Sequence, residues 1–132
     1  IQVVVQHYRQ QGTPLGAAIA DLIVVAFFFL LCPGEYTMPS ARTPTCTQQF
    51  CRMDVRFFCH SLVVPHSAPL ATLVQCEGVR LYLDNQKNGQ RGSTMYHTAA
   101  TGDFCPIKAL AHRVHRLYTV DPVDAALPLS FV

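Results

Sequence analysis

Chemistry in this sequence has few places to sit. Lys87 falls in the segment Asn85 to Gly92, where Asn88-Gly89 marks a tight turn between two strand-like runs. On position alone a lysine at a hairpin tip reads as a solvated turn residue, although an exposed ammonium can also serve as a general acid. Cys32 closes the densest apolar run, Leu22 to Cys32, and Glu35 follows three residues later. A thiol there acts as a nucleophile only if the fold brings a histidine to it, and no local motif supplies one. For zinc, Cys46, Cys51, Cys59 and His60 are the cluster that the chain order offers, but no CxxC pair occurs. His112 and His115 share one helix with no third ligand in view. No metal site is assigned from the sequence.

The elements that would position these residues can be read in order. Thr13 caps a helix whose first turn holds Pro14, and the helix is expected from about Leu15 to Leu31. Small residues in its early half allow close packing, and its late half is apolar all round, as a central helix would be. Ile1 to Gln10 reads as the end of a preceding helix. Pro33-Gly34 breaks the central helix, and Glu35-Tyr36 starts a short turn of another. A loop rich in Pro, Thr and Ser runs from Thr37 to Thr47. Phe50 to Phe58 reads as a strand, Val79 to Asp84 as a second and Ser93 to Thr98 as a third. The last two form a hairpin whose tip carries Lys87 and Arg91. A final helix starts near Pro106 and runs to about Tyr118, with Asp121-Pro122 ending it. Helices around three short strands give an α+β fold: a mainly helical domain with a small three-stranded antiparallel sheet.

Three segments carry a resemblance. Leu31-Cys32-Pro33-Gly34-Glu35-Tyr36 resembles the tyrosine recombinase (phage-integrase-type) segment in which an arginine ends a buried helix and a glutamate follows. In the mobile-element branch the wording is often Leu-Arg-Pro-Gly-Glu-Tyr; here Cys32 stands at the arginine position. Gln86-Lys87-Asn88-Gly89 with Arg91-Gly92 resembles the hairpin-lysine motif of the same enzymes. Cys105-Pro106-Ile107-Lys108-Ala109-Leu110 resembles the start of the helix that follows. The likeness extends from about Ala17 to Leu129.

The resemblance implies DNA strand exchange through a covalent phosphotyrosyl link, with no cofactor. Two arginines and a histidine would hold the phosphate, and Lys87 would be the general acid. Glu35 would be structural support. Cys32 cannot replace a guanidinium, which is permanently charged and offers a fork of donors to phosphate. Loss of one such contact costs on the order of 10²–10³ in rate. The His-x-x-Arg motif and the later nucleophilic tyrosine are also not found. His112-Arg113-Val114-His115-Arg116 has the wrong spacing and comes too early, and Tyr118 reads as packing or surface.

The expectation is therefore a degenerate recombinase fragment, one partial domain over 1–132, inactive as this chain. It would keep DNA as a partner through Arg80, Lys87, Arg91 and Lys108. The alternative is an interaction or structural remnant with no nucleic-acid role. A third reading, an active enzyme completed beyond Val132, still meets the obstacle of Cys32.

Bulk properties agree with a single domain. The chain has 132 residues, half of them apolar and 14% charged, too apolar for a disordered chain. Arg80 to Arg116 holds six bases against two acids, which permits a phosphate-facing surface. Six cysteines without a secretory leader read as reduced thiols. The eleven residues Leu22 to Cys32 span roughly 16 Å as a helix, about half a bilayer core, so no membrane span is expected. Ile1 and the apolar Phe131-Val132 both read as cuts through a longer protein. Missing helices would leave the central helix partly uncovered and open to self-association. The expected compartment is intracellular, nuclear in a eukaryote.

Overall fold

Thr13 does what its position predicts. Its hydroxyl accepts a hydrogen bond from Gly16 N at 3.0 Å, and Pro14 opens the helix. In the computed structural model, which describes residues 1–31, 49–83 and 92–132, this helix is α2, Pro14–Phe29. It ends two residues before the expected Leu31. Leu30 enters the left-handed region at φ 52°, and its N–H bonds back to Ala26 O as a C-cap. α1 spans Gln2–Gln10 and packs against α2. No helix among the described residues is long and apolar enough to cross a membrane.

The sheet has four strands rather than three. β1 is Val55–Cys59, β2 Leu62–Val64, β3 Gly78–Leu83 and β4 Ser93–Thr98, in the order β2-β1-β3-β4 and antiparallel throughout. The expected first strand is shortened at its start. The Cys51 N–H bonds to the Asp54 carboxylate at 2.8 Å, and Arg52–Asp54 curl into a 3₁₀ turn before β1 begins. The unexpected strand is β2. It pairs with β1 through a two-residue turn in which His60 (φ 48°) and Ser61 (φ 66°) are both left-handed. That is the backbone of a type I′ hairpin, usually built from Asn-Gly. His60-Ser61 carries no such signature, and each residue costs roughly 1–2 kcal/mol in this conformation. The predicted hairpin strands are present: β3 and β4 pair from Gly78↔Thr98 to Leu83↔Ser93. Its tip, Asp84 to Arg91, lies outside the described residues.

One face of the sheet is covered. Val55, Phe57, Val79 and Leu81 point inward and share a core with Val24, Val25 and Phe29 of α2. The last helix, α4 (Pro106–Val120), adds Ile107, Leu110, Val114 and Leu117 from its apolar stripe, and the short α3 (Leu70–Leu73) packs on it. The exposed large apolar residues of the central helix and its cap are Leu15, Phe27 and Leu30.

The C-terminal segment closes onto the entry to β1. Arg52 N bonds to Leu127 O, Met53 N to Ala125 O and Leu129 N to Phe50 O. Arg113, buried in α4, donates Nε to Leu129 O at 2.9 Å and its NH2 group to Phe131 O. Burial lowers its pKa from the usual arginine value, with Asp21 acting in the opposite direction. Arg52 is buried too. It donates to Pro122 O at 3.0 Å and lies 5.2 Å from the Tyr118 ring centre.

Candidate nucleic-acid interface

The open face of the sheet collects charge and aromatic rings. Strand alternation that turns Val79 and Leu81 inward turns Arg80 and Tyr82 outward. Register then sets Arg80 directly opposite Arg56 on β1 and Tyr96 on β4, and Tyr82 opposite Thr94. Like charges directly opposite on neighbouring strands repel. Among the described residues, no carboxylate lies within ion-pair distance of either guanidinium. Arg80 is steadied instead by the Phe58 ring, 4.9 Å from its guanidinium carbon.

Met53, Asp54, Arg56, Arg80, Tyr82 and Thr94 line a pocket of about 270 Å³. Asp54 is held by Cys51 N. Tyr96 lies beside Phe58, ring centres 6.1 Å apart, and covers Gly78. A β-carbon on Gly78 would meet the Tyr96 hydroxyl at 1.9 Å, so glycine is what lets this ring lie flat on the strand. Two cations with no ion-pair partner among the described residues, set among aromatic rings, can hold phosphate oxygens and stack against bases.

Of the residues singled out in the sequence, Arg80 lies on this face. Lys108 does not. It belongs to α4 in the helical layer on the opposite side of the sheet, where its ammonium donates to Gly102 O at 2.8 Å and lies 3.8 Å from Asp103. Cys32, Glu35, Lys87 and Arg91 lie outside the described residues, as do Pro33-Gly34, Asn88-Gly89 and Cys46. Arg113 contributes to the basic count of the second half but is turned inward. His112 faces the buried Asp21 carboxylate at 3.7 Å, which Arg9 also reaches at 3.4 Å.

Sequence reasoning passed over Arg56. It sits inside a predicted strand, and only the register with β3 makes it a neighbour of Arg80. A signal existed, since Arg56 and Arg80 are each bracketed by apolar residues in a period-two pattern, which puts both on a solvent face. Cys51, grouped with Cys59 and His60 as a zinc cluster, bonds through its thiol to Gln49 O and pairs with Pro128 at the C-terminal closure. Compared with known proteins, the chain matches no family model, no curated protein and no solved structure.

Proposed function

We propose that this chain is a DNA-binding remnant of a tyrosine-recombinase-type catalytic domain that no longer exchanges strands. The observation that carries the DNA-binding part is the Arg56–Arg80 cross-strand pair. Two facing guanidiniums with no carboxylate partner among the described residues repel each other in the free protein, and a phosphate between them relieves it. Support for the ancestry is the order of the matched segments in the sequence, with paired strands β3 and β4 flanking the Lys87 segment. Cys32 in the arginine position and the absent His-x-x-Arg motif argue for lost catalysis.

The test is binding of a fluorescent DNA duplex at several salt concentrations. The wild-type chain binds weakly, and its affinity falls steeply with salt. Replacing Arg56 and Arg80 together by alanine weakens binding across sequences and reduces the slope of log affinity against log salt by roughly 2, about 0.9 per phosphate contact. Affinity that ignores salt, or a double variant that binds like wild type, ends this reading. The second reading, an interaction remnant, draws on the exposed Phe27 and Leu30 of the central helix. It predicts that Lys87→Ala with Arg91→Ala leaves all binding unchanged.

A further inference from the structure

At the end of the sheet away from the β3–β4 turn, three different donor groups meet. Cys59 ends β1, His60 opens the left-handed turn and Glu77 immediately precedes β3. The Cys59 sulfur lies 3.4 Å from His60 Nδ1, and His60 Nε2 lies 3.4 Å from Glu77 Oε1. One ligand atom from each residue falls within 4.8 Å of the other two.

We propose that Cys59, His60 and Glu77 form a binding site for a divalent transition-metal ion of the zinc class. The backbone around these residues is fixed. Glu77 N bonds to Phe58 O at 3.0 Å and Ala99 N to Glu77 O at 3.1 Å, which extends the sheet ladder to Glu77 on both sides. His60 N donates to the second Glu77 carboxylate oxygen at 3.2 Å. The main chain of the turn is thereby tied to the acid. The unfavourable left-handed backbone at His60 and Ser61 holds the imidazole between sulfur and carboxylate.

The donor set selects the ion. A thiolate and an imidazole with a single carboxylate suit borderline metals such as zinc or cobalt(II), whereas calcium and magnesium require oxygen ligands. Bond lengths of about 2.0–2.3 Å to zinc put tetrahedral neighbours roughly 3.4–3.7 Å apart. The Cys59–His60 separation already has that span, and the widest pair closes by on the order of an ångström. The His60 side chain is 84% exposed, so an ion enters without displacing packed atoms. Three protein donors leave a fourth position for water. A bound ion would tie the β1–β2 turn to the start of β3. The competing description is a thiol–imidazole–carboxylate hydrogen-bonded chain with no metal affinity, since the two ring nitrogens now face different partners.

The experiment is titration of the full chain, stripped with a chelator and kept reduced, with cobalt(II) and then zinc. The wild type takes one equivalent of cobalt with a thiolate-to-metal absorption band, and zinc displaces it. Cys59→Ser abolishes that band, while Cys51→Ser keeps it. Glu77→Gln, which removes one of the three ligands, retains the band and weakens binding by about 10-fold or more, at least the loss seen when an outer-shell partner of a ligand is removed. Far-ultraviolet circular dichroism checks that each variant is folded. Zinc raises the melting temperature of the wild type and not that of Cys59→Ser. Absence of a thiolate band in the wild type, or an equal band in Cys59→Ser, overturns the site. Neither result bears on the Arg56–Arg80 face.

Discussion

Arg113 and Arg80 are the same residue type with opposite employment. Arg80 stands on an open sheet face opposite a second arginine, whereas Arg113 is buried and caps the carbonyls of Leu129 and Phe131. Replacing Arg113 by alanine strips charged donors from two carbonyls and leaves space in the core. Each such hydrogen bond contributes about 1.5–3 kcal/mol, so a loss of roughly 3 kcal/mol or more is expected in urea unfolding. DNA affinity per folded molecule should not change. Sequence could not separate these roles. A basic residue in an amphipathic helix is ordinarily solvated, and its burial here depends on a segment fifteen or more residues downstream. The pairing of Arg56 with Arg80 was equally hidden, because it depends on strand register. Of the segments compared with recombinases in the sequence, those holding Cys32, Glu35, Lys87 and Arg91 lie outside the described residues at these positions, and only Cys105 to Leu110 lies wholly within them. The former remain readings of the sequence.

At the level of elements, legibility followed local chemistry. α2 was readable from Thr13-Pro14 and the apolar run, and β3 and β4 from alternation. β2 was not, for two reasons. It is three residues long, and its turn is built from a histidine and a serine in a conformation that ordinarily calls for glycine or asparagine. Phe50 to Asp54 looked like strand because it is partly apolar, yet the Asp54–Cys51 bond folds it into a 3₁₀ turn. Gly78 offers a test of how the open face is assembled. Gly78→Ala puts a methyl group into the Tyr96 ring and should push that ring off the strand. A cost of about 1 kcal/mol is expected, and it should largely vanish in a Tyr96→Ala background. Double-mutant thermal unfolding measures this coupling, and additive costs would mean that ring and glycine are independent.

For the molecule as a whole, acid is a predictable stress. His66 Nε2 lies 2.8 Å from Val55 O, and burial lowers its pKa below the ordinary 6.5, with Arg52 and Arg56 acting in the same direction and the bond to Val55 opposing. The unfolded chain therefore takes up the proton first. Stability from this group is complete above pH 6.5 and is lost as pH falls from there to the lower folded-state value. Comparing urea midpoints at about pH 8 and about pH 5 should show a smaller decline in His66→Gln than in the wild type, because glutamine keeps a donor for Val55 O and does not titrate. Equal declines would assign the acid sensitivity to other groups.

The closure of residues 125–131 over the start of β1 also has a consequence for biosynthesis. Phe50, Arg52 and Arg113 are all made well before their partners Leu127, Leu129 and Phe131. Until those residues emerge, a hydrophobic flank, the backbone amides of Arg52 and Met53 and the Arg113 guanidinium face water instead of their native partners. The fold around the entry to β1 is therefore not complete until residues 125–131 have emerged, and a nascent chain halted before residue 125 would be a substrate for chaperones or proteases.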